Sequence, residues 1–175
     1  VSPQDLPDGS VIGTASLRRQ AQLLAINPTF KCVNFRGNVQ TRLKKLQERI
    51  VDATLLAKAG LNRMGMTEHI TEVLEWDVML PAVAQGAIGI QCREGDDKIT
   101  RFLDALNCAN TKVAVDCERA FLAALDGNCR TPIAGQAKLQ EDGKLYFEGL
   151  IAKVDGTTVY RTSRVGSPDD AVKLG

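Results

Sequence analysis

Four arginines, Arg18, Arg19, Arg36 and Arg42, lie between Gly13 and Arg42, and their type and spacing suit one task, the holding of an anion. A guanidinium group is planar, charged at every physiological pH, and offers a carboxylate or phosphate two parallel hydrogen bonds. Arg18 and Arg19 fall in the first turn of a predicted helix, where a positive charge opposes the macrodipole at a cost of roughly 0.3 to 1 kcal/mol each. A bound anion would offset that cost, and the free N–H groups of a helix start attract anions to the same place. The competing reading is a basic solvated face, which is the reading for Lys44, Lys45 and Arg49. Arg63, read as part of a loop beyond a third strand, is either ligand-facing or idle. Cys129 is the other chemically distinctive residue. It sits in the turn Gly127-Asn128-Cys129-Arg130-Thr131-Pro132, with Gly127 read as a helix C-cap and a cation beside the thiol. A neighbouring cation favours the nucleophilic thiolate, although loop cysteines are often without function.

The elements that must position these groups form a βαβα unit. Val11 to Gly13 ends a strand, Ser16 is the expected N-cap, and Leu17, Ala21, Leu24 and Ala25 form a helical stripe. A second strand, Lys31 to Phe35, runs into Arg36-Gly37-Asn38. Asn38 is the next expected N-cap, and Val39, Leu43, Leu46 and Ile50 give a second stripe. Asp52 to Ala57 reads as a short apolar strand of a covered parallel sheet. The arginines would then gather beyond the carboxyl ends of neighbouring strands, where open α/β sheets bind ligands. Thr67 to Leu74 reads as a short helix; its His69, beside Glu68 and Glu72, is taken as a surface residue without a catalytic role, and Trp76 as packing. From Ala82 to Ile90 small and apolar residues alternate, which predicts close backbone approach. That run lacks the signatures of a phosphate-cradling or dinucleotide-binding loop. Helices are expected over Asp97 to Leu106 and Thr111 to Leu125. Three strands follow, Ile133 to Leu139, Leu145 to Ala152 and Thr158 to Val165, joined at Asp142-Gly143 and Asp155-Gly156.

Bulk properties narrow the class. The 175 residues suffice for a real core, and 44% hydrophobic with 25% charged residues is the balance of a soluble globular protein. With 22 basic and 21 acidic side chains, no chain-wide field draws the protein to nucleic acid or to a membrane surface. No apolar run approaches the roughly 20 residues of a membrane span. Five cysteines without close metal-ligand pairing argue against a disulfide framework or a zinc site. Cys32 and Cys92 in strand-like runs, Cys117 on a helical apolar face and Cys108 in a helix-joining loop all have packing explanations. The chain opens without methionine and closes about one turn into a helix start marked by Ser167 and Pro168, so both ends read as cut.

Five motifs in register make the pattern specific: Gly13-Thr14-Ala15-Ser16-Leu17-Arg18-Arg19-Gln20, Arg36-Gly37-Asn38-Val39-Gln40-Thr41-Arg42-Leu43, Ala59-Gly60-Leu61-Asn62-Arg63-Met64-Gly65, Gln85-Gly86-Ala87 and Gly127-Asn128-Cys129. In order and spacing they resemble the porphobilinogen deaminases, also called hydroxymethylbilane synthases, over nearly the whole chain. The resemblance implies a transferase of tetrapyrrole biosynthesis that joins porphobilinogen head to tail, with release of ammonia, on a covalent dipyrromethane primer. It implies that Cys129 attaches this cofactor and that Arg18, Arg19 and Arg42 clamp its carboxylates, with Ser16 and Gly60 as hydrogen-bonding neighbours. Arg36 and Arg63 are implied as contacts to substrate and growing chain. The family's catalytic aspartate falls on no residue of this sequence and is expected in a domain preceding residue 1.

The fold expected is α/β: a doubly wound, periplasmic-binding-protein-like domain followed by a small α+β domain with a three-stranded antiparallel sheet. Residues 1–86 are read as the anion-binding domain, 87–106 as a segment returning to the absent N-terminal domain, and 107–175 as the cofactor-anchoring domain. Partners expected are porphobilinogen, the growing polypyrrole and that further domain, with no nucleic acid, membrane or metal, in a protein monomeric when complete. The resemblance to plant and bacterial members favours a plastid stroma, with the bacterial cytoplasm as alternative. The alternative function is an arginine-lined anion-binding or effector-sensing module without catalysis, which would have no use for Cys129.

Overall fold

In a computed structural model of the chain, residues 2–128 and 131–175 are described. The first sheet is parallel, in the order β2-β1-β3, built from β1 (Val11–Gly13), β2 (Lys31–Val33) and β3 (Ala53–Thr54). Val11 lies opposite Lys31 and Gly13 opposite Val33 on one side of β1, and Gly13 lies opposite Thr54 on the other. Helices α1 (Leu17–Ile26), α2 (Val39–Gln47) and α3 (Lys58–Arg63) each follow one of these strands. Because the strands are parallel, all three strand-to-helix turns leave the same edge of the sheet. Gly13 is fixed by packing: a Cβ there would lie 2.6 Å from the ring of Phe35, which is buried.

Both expected caps form. Ser16 Oγ accepts from the N–H of Arg19 at 3.4 Å, and Asn38 Oδ1 accepts from the N–H of Thr41 at 2.8 Å. The buried face of α1, however, is rotated from the expected stripe: Arg18, Ala21, Gln22 and Leu23 are buried and Ala25 is exposed. Two polar residues therefore point inward, each satisfied by main-chain partners. The strand expected over Asp52 to Ala57 contracts to two residues, although Asp52 still donates its N–H to the carbonyl of Val11 in β1 at 2.8 Å. Asp52 Oδ2 accepts from the N–H of Val11 at 2.7 Å, and the carbonyl of Leu55 accepts from Arg19 Nη1 at 2.8 Å.

Arg63 is the last residue of α3 rather than part of a loop, and Gly65, at φ +66°, takes the left-handed position that closes that helix. The N–H of Gly65 bonds the carbonyl of Asn62 and that of Met66 the carbonyl of Leu61. The helix expected from Thr67 to Leu74 reduces to a 3-10 turn, Thr67–His69. Val73 stays exposed while Leu74 packs against the core of Ile12, Leu23, Phe30 and Met79.

Two compact units divide the chain: Val1–Leu80 with Asn128–Ala134 and Leu150–Arg161, and Pro81–Gly127 with Gly135–Gly149 and Thr162–Gly175. The first has cores around Ile12, Leu23, Phe30 and Met79, and around Leu80, Ala134 and Leu150. The second is centred on Cys117, Leu145, Phe147 and Leu174, with Phe121 edge-on to Phe147 at 5.1 Å. The second sheet has the order β4-β5-β6, from β4 (Ile133–Leu139), β5 (Leu145–Ala152) and β6 (Val159–Gly166). It is antiparallel, as the Asp-Gly turns led one to expect; Gly143 and Gly156 have φ of +80° and +71°.

Helices α4 (Asp97–Asp104), α5 (Ala109–Ala124) and α6 (Ala171–Leu174) complete the α-helices among the described residues. Glu118, at 2% exposure, is a charged residue on the inward face of α5. Its Oε2 accepts from the N–H of Ala84 at 2.6 Å; its Oε1 accepts from the N–H of Ala137 at 2.8 Å and from Gln136 Nε2 at 3.1 Å. Burial pushes the carboxyl pKa up, against the two backbone donors that hold it down. These bonds tie the turn after Pro81 to α5 and β4 within the second unit.

Several local expectations fail here. Residues 83–86 form a turn and 87–90 no regular element, and the close backbone approach expected over Ala82 to Ile90 is not seen: beside Gly86 and Gly89 a Cβ would meet nothing within 4 Å. Gly86 instead supplies a φ of +96°. Cys92 belongs to no strand and is exposed, so its packing explanation does not hold, and Cys108 is exposed at the N-cap of α5. At the far end of α5 the left-handed residue is Asp126, φ +48°, and not Gly127. The N–H of Asp126 bonds Ala123 and that of Gly127 bonds Leu122, so Gly127 stands one place beyond the reversal.

Candidate functional site

The first unit holds the arginines. Ser16, Arg18 and Arg19 open α1 beyond β1; Arg36 and Arg42 flank the start of α2 beyond β2; Gly60 and Arg63 lie in α3 beyond β3. The parallel sheet thus carries seven of the eight expected site residues on the three turns and helices leaving one edge. The eighth, Cys129, lies outside the described residues.

Arg18 is only 8% exposed, and its Nη1 donates to the carbonyl of Leu80 at 2.7 Å. Its pKa is lowered to about 10, first by burial and then by the charge of Arg19. Arg19, half-buried, donates from Nη1 to Leu55, and its pKa is lowered by burial and then by the charge of Arg42. For Arg18 and Arg19, burial and the like charge of a neighbouring guanidinium both disfavour the cationic form. Arg42 Nε donates to the carbonyl of Gly37 at 2.9 Å, which holds that side chain back along the loop before α2. Main-chain carbonyls orient all three groups.

Arg36 is exposed, with Nε donating to Asn34 Oδ1 at 3.2 Å. Its main-chain carbonyl accepts from Lys45 Nζ at 3.3 Å, and that ammonium also lies 5.5 Å from the centre of the Phe35 ring. Lys45 thereby braces the loop that carries Arg36, a role its solvated-face reading did not contain. Lys44 remains exposed and pairs only loosely with Glu48 at 3.8 Å. Gly60 lies within α3 with open space where a Cβ would stand. Arg63 is exposed at the carboxyl end of α3, where its charge complements the macrodipole. His69 Nε2 lies 3.4 Å from Glu68 Oε1.

Sequence reasoning overlooked Gln22 and Leu80. Gln22, 5% exposed, accepts at Oε1 from the N–H of Leu80 at 2.8 Å and donates from Nε2 to the Leu80 carbonyl at 3.1 Å. The available signal was its place four residues after Arg18, between Ala21 and Leu23 on the inward face of α1.

Comparison with known proteins gives the family. Residues 1–101 match the family model described as "Porphobilinogen deaminase, dipyromethane cofactor binding domain", and residues 112–175 match "Porphobilinogen deaminase, C-terminal domain". The chloroplastic porphobilinogen deaminase of Pisum sativum is 59% identical over 98% of this chain and 47% of its own length. That of Oryza sativa subsp. japonica is 61% identical over 94% of the chain and 46% of its own length. The porphobilinogen deaminase of Nitrobacter hamburgensis is 52% identical over 99% and 55% respectively. The chain spans about half the length of the curated relatives it matches. With two family models matched in succession, and with an arginine-bearing sheet edge inside the cofactor-binding match, the chain belongs to the porphobilinogen deaminase family.

Proposed function

We propose that the protein containing this chain joins porphobilinogen units head to tail into hydroxymethylbilane, releasing ammonia at each condensation, on a dipyrromethane held covalently by Cys129. The observation that carries this reading is the gathering of Arg18, Arg19 and Arg42 at the helix starts beyond one end of the parallel sheet, each guanidinium aimed by a main-chain carbonyl. Pyrroles bearing an acetate and a propionate each are suited to pair with these groups, so the residues present fit the cofactor named by the matched family model. Bound there, the dipyrromethane would supply the end onto which new units are joined.

In this reading Arg18, Arg19 and Arg42 hold cofactor carboxylates, with Ser16 and Gly60 as hydrogen-bonding neighbours, while Arg36 and Arg63 meet substrate and the lengthening chain. Fixed guanidinium groups orient the reacting ring and lower the entropic barrier to joining the next one. Cys129 serves as nucleophile for attachment, favoured as thiolate by the adjacent Arg130 in sequence. None of the described carboxylates takes the part of the family's catalytic aspartate, which belongs to a domain that residues 87–106 would meet. Residues 1–86 and 107–175 then act as the anion-binding and cofactor-anchoring domains of a monomer. The chloroplastic names of the pea and rice relatives support a plastid stroma, and the Nitrobacter relative supports the bacterial cytoplasm as alternative.

The exposed side chains of Ile88, Phe102 and Leu106, at 88%, 65% and 68%, support a covering domain next to 87–106. The 175-residue chain alone is therefore expected to enhance the fluorescence of an apolar dye, and Phe102→Ser with Leu106→Ser to reduce that signal; a silent chain speaks against a covering domain. The function itself is tested by ammonia release from porphobilinogen, with the protein as expressed from its own gene. Turnover that Cys129→Ser abolishes supports the proposal. Arginine-dependent anion binding without turnover would favour the non-catalytic module.

A further inference from the structure

Within the first unit one main-chain group organises the most deeply buried cation. The carbonyl of Leu80 accepts two hydrogen bonds, from Arg18 Nη1 at 2.7 Å and from Gln22 Nε2 at 3.1 Å. A carbonyl oxygen has two lone pairs, so these donors fill its capacity. The same Gln22 accepts the N–H of Leu80 at 2.8 Å, and its Nε2 also reaches the carbonyl of Arg18 at 3.3 Å. Its carboxamide thus pairs with both polar groups of one residue and with the backbone of the arginine one helical turn earlier. Leu80 is wholly buried and packed with Ala134 and Leu150, so its carbonyl has a fixed address in the core.

An arginine side chain has four rotatable bonds before its planar fork, and a clamp needs that fork at one angle. Arg18 gains the angle from a hydrogen bond to an oxygen whose own orientation is set by Gln22. We infer that Gln22 is a positioning residue for anion binding: by holding the Leu80 peptide from both sides, it fixes the oxygen that aims the guanidinium of Arg18. This rests on the reading of Arg18 as a carboxylate clamp and adds the part that aims it. Glutamine suits the position because it both donates and accepts, whereas glutamate or methionine of similar length lacks the donor.

The test is a double-mutant cycle on the protein as expressed from its own gene, with a melting curve for each variant and with porphobilinogen as the binding probe, because the dipyrromethane whose carboxylates Arg18 is read as clamping is assembled from it. Gln22→Met keeps the volume and removes both bonds to Leu80. It is expected to raise the Kd for porphobilinogen by up to about a hundredfold, the scale of a misplaced binding group. Arg18→Leu is expected to cost at least as much, and the double variant no more than Arg18→Leu alone, because Gln22 acts only through Arg18. If Gln22→Met does not fold, Gln22→Glu, which retains the acceptor for the Leu80 N–H, takes its place in the cycle under the same criteria. An unchanged Kd in a natively melting Gln22 variant overturns the inference, as do additive effects in the double variant. If Arg18→Leu itself binds normally, the clamp reading fails as well; loss with Arg18→Leu but none with Gln22→Met removes the positioning role and leaves the clamp intact.

Discussion

Arg18→Leu or Arg19→Leu is expected to weaken the binding of porphobilinogen, the unit from which the cofactor clamped by these arginines is built, by about 2 to 5 kcal/mol, roughly thirtyfold to a few thousandfold, while the melting temperature holds or rises. The two halves of that result have one cause. Burial and neighbouring cations lower the pKa of both arginines, so the folded protein holds these charges at a cost when no anion is present. Removing one leaves the ligand short of a partner but relieves the fold. At position 18 the Leu80 carbonyl would still keep its bond from Gln22. The sign of the pH effect follows. Above about pH 10 the unfolded chain keeps the Arg18 proton that the folded chain releases, so this residue's contribution to stability rises with pH there. Arg18→Leu should remove that rise. Isothermal titration beside calorimetric melting checks both parts; unchanged affinity with a native melting curve contradicts the clamp.

The second large effect is on stability. Glu118→Ala is expected to destabilise the protein by about 2 to 6 kcal/mol, since the N–H groups of Ala84 and Ala137 each lose their acceptor, at about 1 to 3 kcal/mol per buried donor. Gln136 Nε2 retains the carbonyl of Ala137 as partner and adds little. Glu118→Gln should fall between, because one of its two terminal atoms is a donor facing a donor. Urea unfolding of the three forms measures the series. A Glu118→Ala midpoint equal to that of the parent would mean that the turn after Pro81 is held by other contacts.

Glu118 and Gln22 also mark where sequence reading stopped. The strands, the caps at Ser16 and Asn38 and the arginine-bearing helix starts were legible because each depends on residues within one turn of the chain. The inward polar residues were not, since their partners lie far along it: Gln22 meets Leu80, 58 residues on, and Glu118 meets Ala84, 34 residues back. Pattern alone gives a polar residue on a helix no reason to face inward until its main-chain partner is in place. The alternation from Ala82 to Ile90 misled for the converse reason. It has the spacing of close backbone approach, yet Ile88 and Ile90 are exposed and the glycines meet nothing. Cysteines show both outcomes: Cys117 packs in the core as its helical face required, whereas Cys92 and Cys108 are exposed.

Those two exposed thiols sharpen the central test. Hydrogen bonds from Thr111 pull the Cys108 thiol pKa down, so accessibility and acidity alone do not single out Cys129. If a dipyrromethane is anchored for catalysis, the attachment is specific in spite of these competitors. Intact-mass measurement of the protein as expressed from its own gene, after assembly with porphobilinogen, followed by peptide mapping, reads this directly. The expected result is one adduct of two pyrrole units on Cys129, absent from Cys129→Ser. A folded, fully assembled protein with no adduct, or with one on Cys32, Cys92, Cys108 or Cys117, would contradict covalent anchoring at Cys129 and leave an arginine-lined anion-binding module in its place.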